Sequence, residues 1–183
     1  YRKPVSTLSL WQADWPDRYR SAAAALRQAI SPLWSTVQHI GSTSVPGLCA
    51  KPVIDLMVGV ECVSQVDAAV VERIESLGYI YRPDSEEAGG EFAARRYFQK
   101  VARAGNHTHH LHLVELDSSF WERHLLFRDH LRVHPEDLAA DAALKRRLAE
   151  TSDNRAAYTD AKGPFIRRVE AAERARESSE VRV

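Results

Sequence analysis

The sequence predicts an α+β fold: a small mixed sheet with flanking helices, followed by a helical C-terminal part. Three observations carry this expectation. An apolar stripe at helical spacing comes first, in Tyr19, Ala22, Ala23, Leu26 and Ile30. Short β-rich runs separated by turn residues then reach Leu116. From Asp117 onward the apolar spacing is helical again. At 183 residues the chain suits one domain with one core. The expected domain is 1–175, helical from 117, with 176–183 as a frayed tail.

In order, Trp15 to Ile30 reads as a helix, with Pro16 acceptable in its first turn and Ser31-Pro32 closing it. Trp34 to Ile40 is a short strand, and a loop from Gly41 to Lys51 leads into the strand "PVIDLMVGV". Ser64 and Asp67 form a capping-box-like start for a helix to Leu77, which Gly78 stops. Tyr79 to Arg82 is a short strand, and "DSEEAGGE" is a polar surface loop. "FAARRYFQKVA" and "HTHHLHLVEL" flank "RAGN" as a hairpin. Three helices follow. "SSFWERHLLFRDHLRVH" ends before Pro135, "PEDLAADAALKRRLAE" is the second, and the third, "DNRAAYTDAK" with "FIRRVEAAERA", is interrupted by Gly163-Pro164. Trp121, Leu125, Tyr158 and Phe165 are assigned to packing.

Composition narrows the function. The 25 Lys and Arg cancel the 25 Asp and Glu, so no global field draws in long nucleic acid, while a local basic pocket for a small anion remains open. Cys49 and Cys62 make neither a metal-ligand pattern nor a disulfide scaffold, which points to the reducing cytoplasm. No run of about 18 apolar residues and no signal-peptide pattern occurs, so no membrane is expected. The opening Tyr1 suggests that a start methionine or upstream sequence is missing.

The loop "HIGSTSVPGLCAKPVIDLMVGV" holds the chemistry. Gly41, Ser42, Thr43 and Ser44 supply the tight turn, backbone N–H groups and hydroxyls that can cradle a phosphate. A Walker A loop is rejected, because five residues separate Gly41 from Gly47 and Pro52 follows Lys51. Asp55 lies mid-strand, where Ile54, Leu56 and Val58 share one face and Val53, Asp55 and Met57 the other. A carboxylate in so apolar a run needs a partner: a metal ion, a cation or backbone donors.

"HIGSTSVPGLCAKPVIDLMV", "HHLHLVE", "LLFRDHLRVHPE" and "YTDAKGPFI", in that order, resemble the GrpB family from Trp15 to Ile166, and that family's fold resembles the polymerase-β-type nucleotidyltransferases. The resemblance implies a nucleotidyltransferase-type sheet. It also implies a pattern of Gly-Ser at a strand end and Asp-x-Asp on the next strand. Gly41-Ser42 and Asp55 match; Met57 stands where the second carboxylate would be. Some members look like domains fused to dephospho-coenzyme A kinase, which implies a protein-partner or folding role as the rival reading. Lys162 resembles the family's lysine, which implies an anion contact, and reads otherwise as an ordinary surface lysine.

Four of the eight histidines lie in "HTHHLHL". On a strand His110 and His112 share a face, with His109 and Glu115 on the other. His110 and His112, with His39 from the preceding strand and Asp55, suit a transition metal such as Zn²⁺, or hydrogen bonds to phosphate. Glu115 would join only through a bulge. In "ARRYFQK", Arg96 is placed beside a phosphate or, equally, on a charged edge strand. Arg128 reaches either a ligand phosphate or Asp129's neighbourhood.

The expected function is a nucleotidyltransferase-like protein that binds a nucleoside triphosphate or other phosphorylated small molecule with Mg²⁺ or Mn²⁺. Gly41, Ser42 and Thr43 hold phosphate, Lys51 neutralises it, Asp55 carries the metal and any catalysis, and His110 and His112 complete the pocket. The alternatives are a non-catalytic partner module and a His-based transition-metal hydrolase using Zn²⁺.

Overall fold

The computed structural model describes residues 8–85, 94–151 and 155–180. Helix α1 (Trp15–Ala29) starts with Pro in its first turn, where a missing N–H costs no helical bond, and buries Trp15, Ala23 and Leu26. Strands β1 (Trp34–Ile40) and β2 (Ile54–Val60) follow, then helix α2 (Ala68–Ser76) and strands β3 (Tyr79–Tyr81), β4 (Arg95–Val101) and β5 (His107–Glu115). Helices α3 (Ser119–Val133), α4 (Pro135–Thr151) and α5 (Arg155–Glu180) complete the chain. The expected α+β order holds.

The five strands form one open sheet in the order β1-β2-β5-β4-β3. β5 runs parallel to β2, and the other neighbouring pairs are antiparallel, so the sheet is mixed. Register places Ile40 opposite Asp55, Asp55 opposite His110, and His110 opposite Gln99. Paired residues share a face. One face therefore carries Ile54, Leu56, Val58, Leu111, Leu113 and Phe98, packed under α1 and α2 as the main core. The other carries Ile40, Met57 and Val114, covered by Phe120 and Trp121 of α3. A third cluster joins the loop residues Val45, Leu48 and Cys49 to Leu131 of α3 and Ala142 of α4, with Phe165 of α5 against it.

Three local expectations change. Ser64 sits in a short 3-10 turn over Val63–Gln65, and Asp67 is the N-cap of α2, its carboxylate accepting from the Val70 N–H at 2.9 Å. An Asp in extended backbone caps a helix by itself, so the box is not needed. Gly78 still ends the helix, at φ 85°. Pro164 does not interrupt the last helix: α5 runs through it to Glu180, past the point where the sequence suggests a frayed tail. Proline there removes one backbone bond, and burial of Val169 and the packing of Phe165 on Phe127 hold the helix on either side of that gap. Tyr158 and most of the "DSEEAGGE" loop lie outside the described side chains and residues. No described helix is long and apolar enough to cross a membrane.

Candidate functional site

β1 ends at Ile40, and Gly41 turns the chain at φ 68°, a left-handed value that favours glycine. Ser42–Ser44 form one 3-10 turn, closed by the Ser44 hydroxyl donating to the Gly41 carbonyl at 2.5 Å. The turn is gripped from α3 and α4. Arg132 donates to the Ser44 carbonyl at 2.8 Å, and Lys145 donates to the Ser42 hydroxyl at 2.6 Å. Because the Ser42 oxygen accepts from an ammonium, its own proton is free to point at an acceptor.

Behind Ser42 lies a buried charge cluster. Asp141 is fully buried between Lys145 at 2.8 Å and Lys162 at 3.2 Å. Two ammoniums against one carboxylate leave a net positive charge beneath the turn. Burial, and then the charge of Lys162, lowers the Lys145 pKa to about 8.

A cavity of about 360 Å³ opens beside this turn, between the loop, α3 and α5. Gly41 and Ser42 line it, with Arg123, Arg128, Lys162 and Arg167 and a single carboxylate, Glu170. Phe127, Leu131 and Ile166 supply apolar wall. Arg128 reaches back over the sheet to the Gln38 side chain at 2.9 Å and the His39 carbonyl at 3.1 Å, while its other nitrogens hold Asp129. Of the two uses the sequence allows, the structure shows the pairing with Asp129, and it also sets Arg128 in the cavity wall.

Asp55 lies against Gly41. An added Cβ at residue 41 would meet Asp55 Oδ2 at 2.2 Å. The other oxygen, Oδ1, accepts from His110 Nδ1 at 3.0 Å, with both side chains partly exposed. That bond leaves His110 Nε2 as an acceptor and fixes the ring plane.

The remaining expected site residues separate. His39 sits on the opposite face, opposite Leu56, stacked on Tyr19 at 4.7 Å with Nε2 3.0 Å from the Thr43 hydroxyl. Burial pushes its pKa down to about 4. Its strand parity with Val37, a core residue under α1, decides this. Thr43 is buried, bonded to His39 and to the Val53 carbonyl, and braces the loop rather than lining the cavity. His112 is buried beside Tyr97 and Phe120, with Nδ1 accepting from Arg95 at 2.9 Å. Glu115, on the far face, accepts from the Val63 N–H at 3.1 Å, and no bulge turns it. Arg96 pairs with Leu113 and so faces away from Asp55; its neighbour Arg95 is on the site face. Lys51 is half-buried before β2 and does not line the cavity. Met57 is fully buried under α3.

The sequence reading missed Arg95, Asp141 and Lys145. Arg95 and Arg96 are adjacent, and only the β4–β5 register tells which one faces Asp55. "DAALK" places Asp141 and Lys145 one helical turn apart, a spacing that ordinarily marks a solvated surface pair.

A family model described as GrpB protein matches residues 6–172 of the chain. The UPF0157 protein YqkA of Bacillus subtilis is 36% identical over 175 residues, which cover 93% of this chain and 48% of that protein. The glutamate-rich protein GrpB of Alkalihalophilus pseudofirmus is 32% identical over 155 residues, covering 84% of this chain and 87% of the relative. The crystal structure of conserved protein GrpB from Enterococcus faecalis matches with a TM-score of 0.77 and 35% identity, over 91% of this chain and 96% of that one. The chain thus spans about half the length of YqkA but nearly all of the Enterococcus faecalis structure. With the match running from the N-terminal segment into α5, the chain belongs to the GrpB family.

Proposed function

We propose that this domain binds a nucleoside triphosphate or a similar phosphorylated small molecule in the cavity beside Gly41 and Ser42. One observation carries the reading: the turn opens on a cavity lined by four cationic side chains and one carboxylate, with Asp55 seated directly behind Gly41. The Ser42 hydroxyl, Lys162 and Arg167 would meet phosphate oxygens. A cavity of about 360 Å³ has the size of a small-ligand site.

Asp55 fits one Mg²⁺ or Mn²⁺, since such ions keep waters and use one or two protein carboxylates with the ligand's phosphates. It does not fit the two-metal plan, because Met57 is packed into the core. Nucleotidyl transfer, with a hydroxyl attacking the α-phosphorus and pyrophosphate leaving, is the reaction to assay. In that reaction His110, held by Asp55, would accept the hydroxyl proton. We place the activity in the cytoplasm, where Cys49 and Cys62 remain thiols.

The burial of Met57 favours a second reading, a non-catalytic partner module that kept the fold. Thermal unfolding with each nucleoside triphosphate, with and without Mg²⁺, separates the two. A ligand at about 100 times its Kd adds roughly 2.7 kcal/mol to stability. A metal-dependent rise that Asp55→Asn removes supports the site. No rise with any nucleotide gives the partner reading.

A further inference from the structure

The helical end holds a second group of side chains that the nucleotide reading does not use. His130 lies in the last turn of α3 and His134 is its C-cap, four residues on, their rings stacked at 3.9 Å, and Glu173 faces them from α5. One ligand atom from each lies within 4.8 Å of the other two. His130 is almost wholly buried.

The hydrogen bonds around the group aim one ring nitrogen of each histidine inward. His134 Nδ1 donates to the His130 carbonyl at 2.9 Å, which leaves Nε2 as an acceptor. His130 Nε2 lies 2.7 Å from Asp137 Oδ2, at the start of α4, and Asp137 is itself held by Arg168 at 2.6 Å. His130 Nδ1 faces Glu173 Oε1 at 2.6 Å, a contact that requires a proton, or a metal ion in its place, between the two atoms. At present the exposed guanidinium of Arg176 reaches both His134 Nε2, at 2.5 Å, and Glu173 Oε1, at 3.2 Å. A cationic group therefore already sits at this spot.

We propose that His130 Nδ1, His134 Nε2 and Glu173 bind a borderline divalent transition metal, Zn²⁺ above all, with Asp137 orienting His130. A histidine in the last helical turn and another at the C-cap, four residues on, bring both imidazoles to one side, where a single ion can reach them. A carboxylate on the outer nitrogen of a ligating histidine is the usual support for such a site. Two nitrogens and one carboxylate oxygen suit Zn²⁺ or Co²⁺, whereas Mg²⁺ and Ca²⁺ prefer all-oxygen sets. Zinc bonds near 2.0–2.1 Å set its ligands roughly 3.3 Å apart, so His130 and Glu173 part slightly and Arg176 swings out to solvent. A cavity of about 640 Å³ between α3 and α5, lined by His130 and Glu173 among others, adjoins the group and would admit a fourth ligand such as water. The ion would pin α5 to α3. This site shares no residue with Asp55 and His110, so either can fail without the other.

The test is Zn²⁺ binding by tag-free protein, by equilibrium dialysis and by thermal unfolding with micromolar Zn²⁺. One ion per chain and a raised Tm are expected in the wild type and in Asp55→Asn. His134→Gln and Glu173→Gln, each checked by circular dichroism to be folded without metal, should lose both effects. Asp137→Asn should weaken binding by about 10- to 100-fold. Co²⁺ should give the visible absorption of a four-coordinate site in the wild type alone among these ligand variants. The proposal is overturned if wild-type protein takes up no Zn²⁺, if His134→Gln and Glu173→Gln bind it as wild type does, or if Asp55→Asn alone abolishes the uptake.

Discussion

The Asp55 carboxylate occupies the space that any side chain at residue 41 would need, with Oδ2 2.2 Å from an ideal Cβ there. The glycine and the aspartate thus form one unit, in which the turn can close only while the carboxylate lies against bare backbone. Gly41→Ala would strain a left-handed φ of 68° and push Asp55 off His110. Denaturant unfolding should show a loss on the order of 2 kcal/mol. Nucleotide-dependent stabilisation should vanish with it, whereas Gly47→Ala, strained alike at φ 82° but with open space around it, should cost stability and leave ligand binding intact.

Asp141 holds two ammoniums in the interior, so its removal is felt more than that of any exposed acid. Asp141→Asn would leave Lys145, which is 3% exposed, without its counter-charge. Breaking a buried pair this way costs about 3–5 kcal/mol. The double variant Asp141→Leu with Lys145→Met should recover most of the loss by urea titration, while nucleotide binding stays impaired because Ser42 has lost its donor.

Met57→Asp would write the second carboxylate of the Asp-x-Asp pair into the chain. It would place a charge among Ile40, Val114, Phe120 and Trp121. We expect a destabilisation of several kcal/mol and no gain in metal-dependent transfer. A stable variant with new activity would show that α3 moves off the sheet during function.

His39 makes stability depend on acid. Folded, it takes up a proton only near pH 4, whereas the unfolded side chain does so near 6.5. Above pH 6.5 both states are neutral there and the group is silent. As pH falls from 6.5 toward 4 the unfolded chain is protonated first, and stability drops by an amount on the order of 3 kcal/mol. His39→Gln should flatten its share of that slope when urea midpoints at pH 7 and pH 4.5 are compared. An unchanged slope would mean that the ring is solvated.

How far a site can be read from sequence depends on what each residue's placement rests upon. Asp55, Met57 and His110 were legible in facing, because strand parity is local and the neighbouring apolar residues declare which side is core. His39 was not. Its distance along the chain from Asp55 says nothing about the sheet face, and the β1–β2 register, Ile40 opposite Asp55, puts it one residue out of phase. Arg95 and Arg96 differ by the same single step. The charges at Ser42 come from much farther along the chain, since Lys145 meets that hydroxyl across 103 positions.

The order of helices and strands, the glycine turn with its following aspartate, and membership of the GrpB family are all written in the residue order alone. These follow from spacing along the chain: capping, alternation and helical periodicity act over a few residues. That Asp55 and His110 meet while His39 and Glu115 turn away follows from the assembled fold. It alone put Lys145, Asp141 and Lys162 behind the turn, and closed His130, His134 and Glu173 into one group. Those contacts join elements whose docking is set by which faces bury together, and burial is a property of the assembled core rather than of any short stretch of chain.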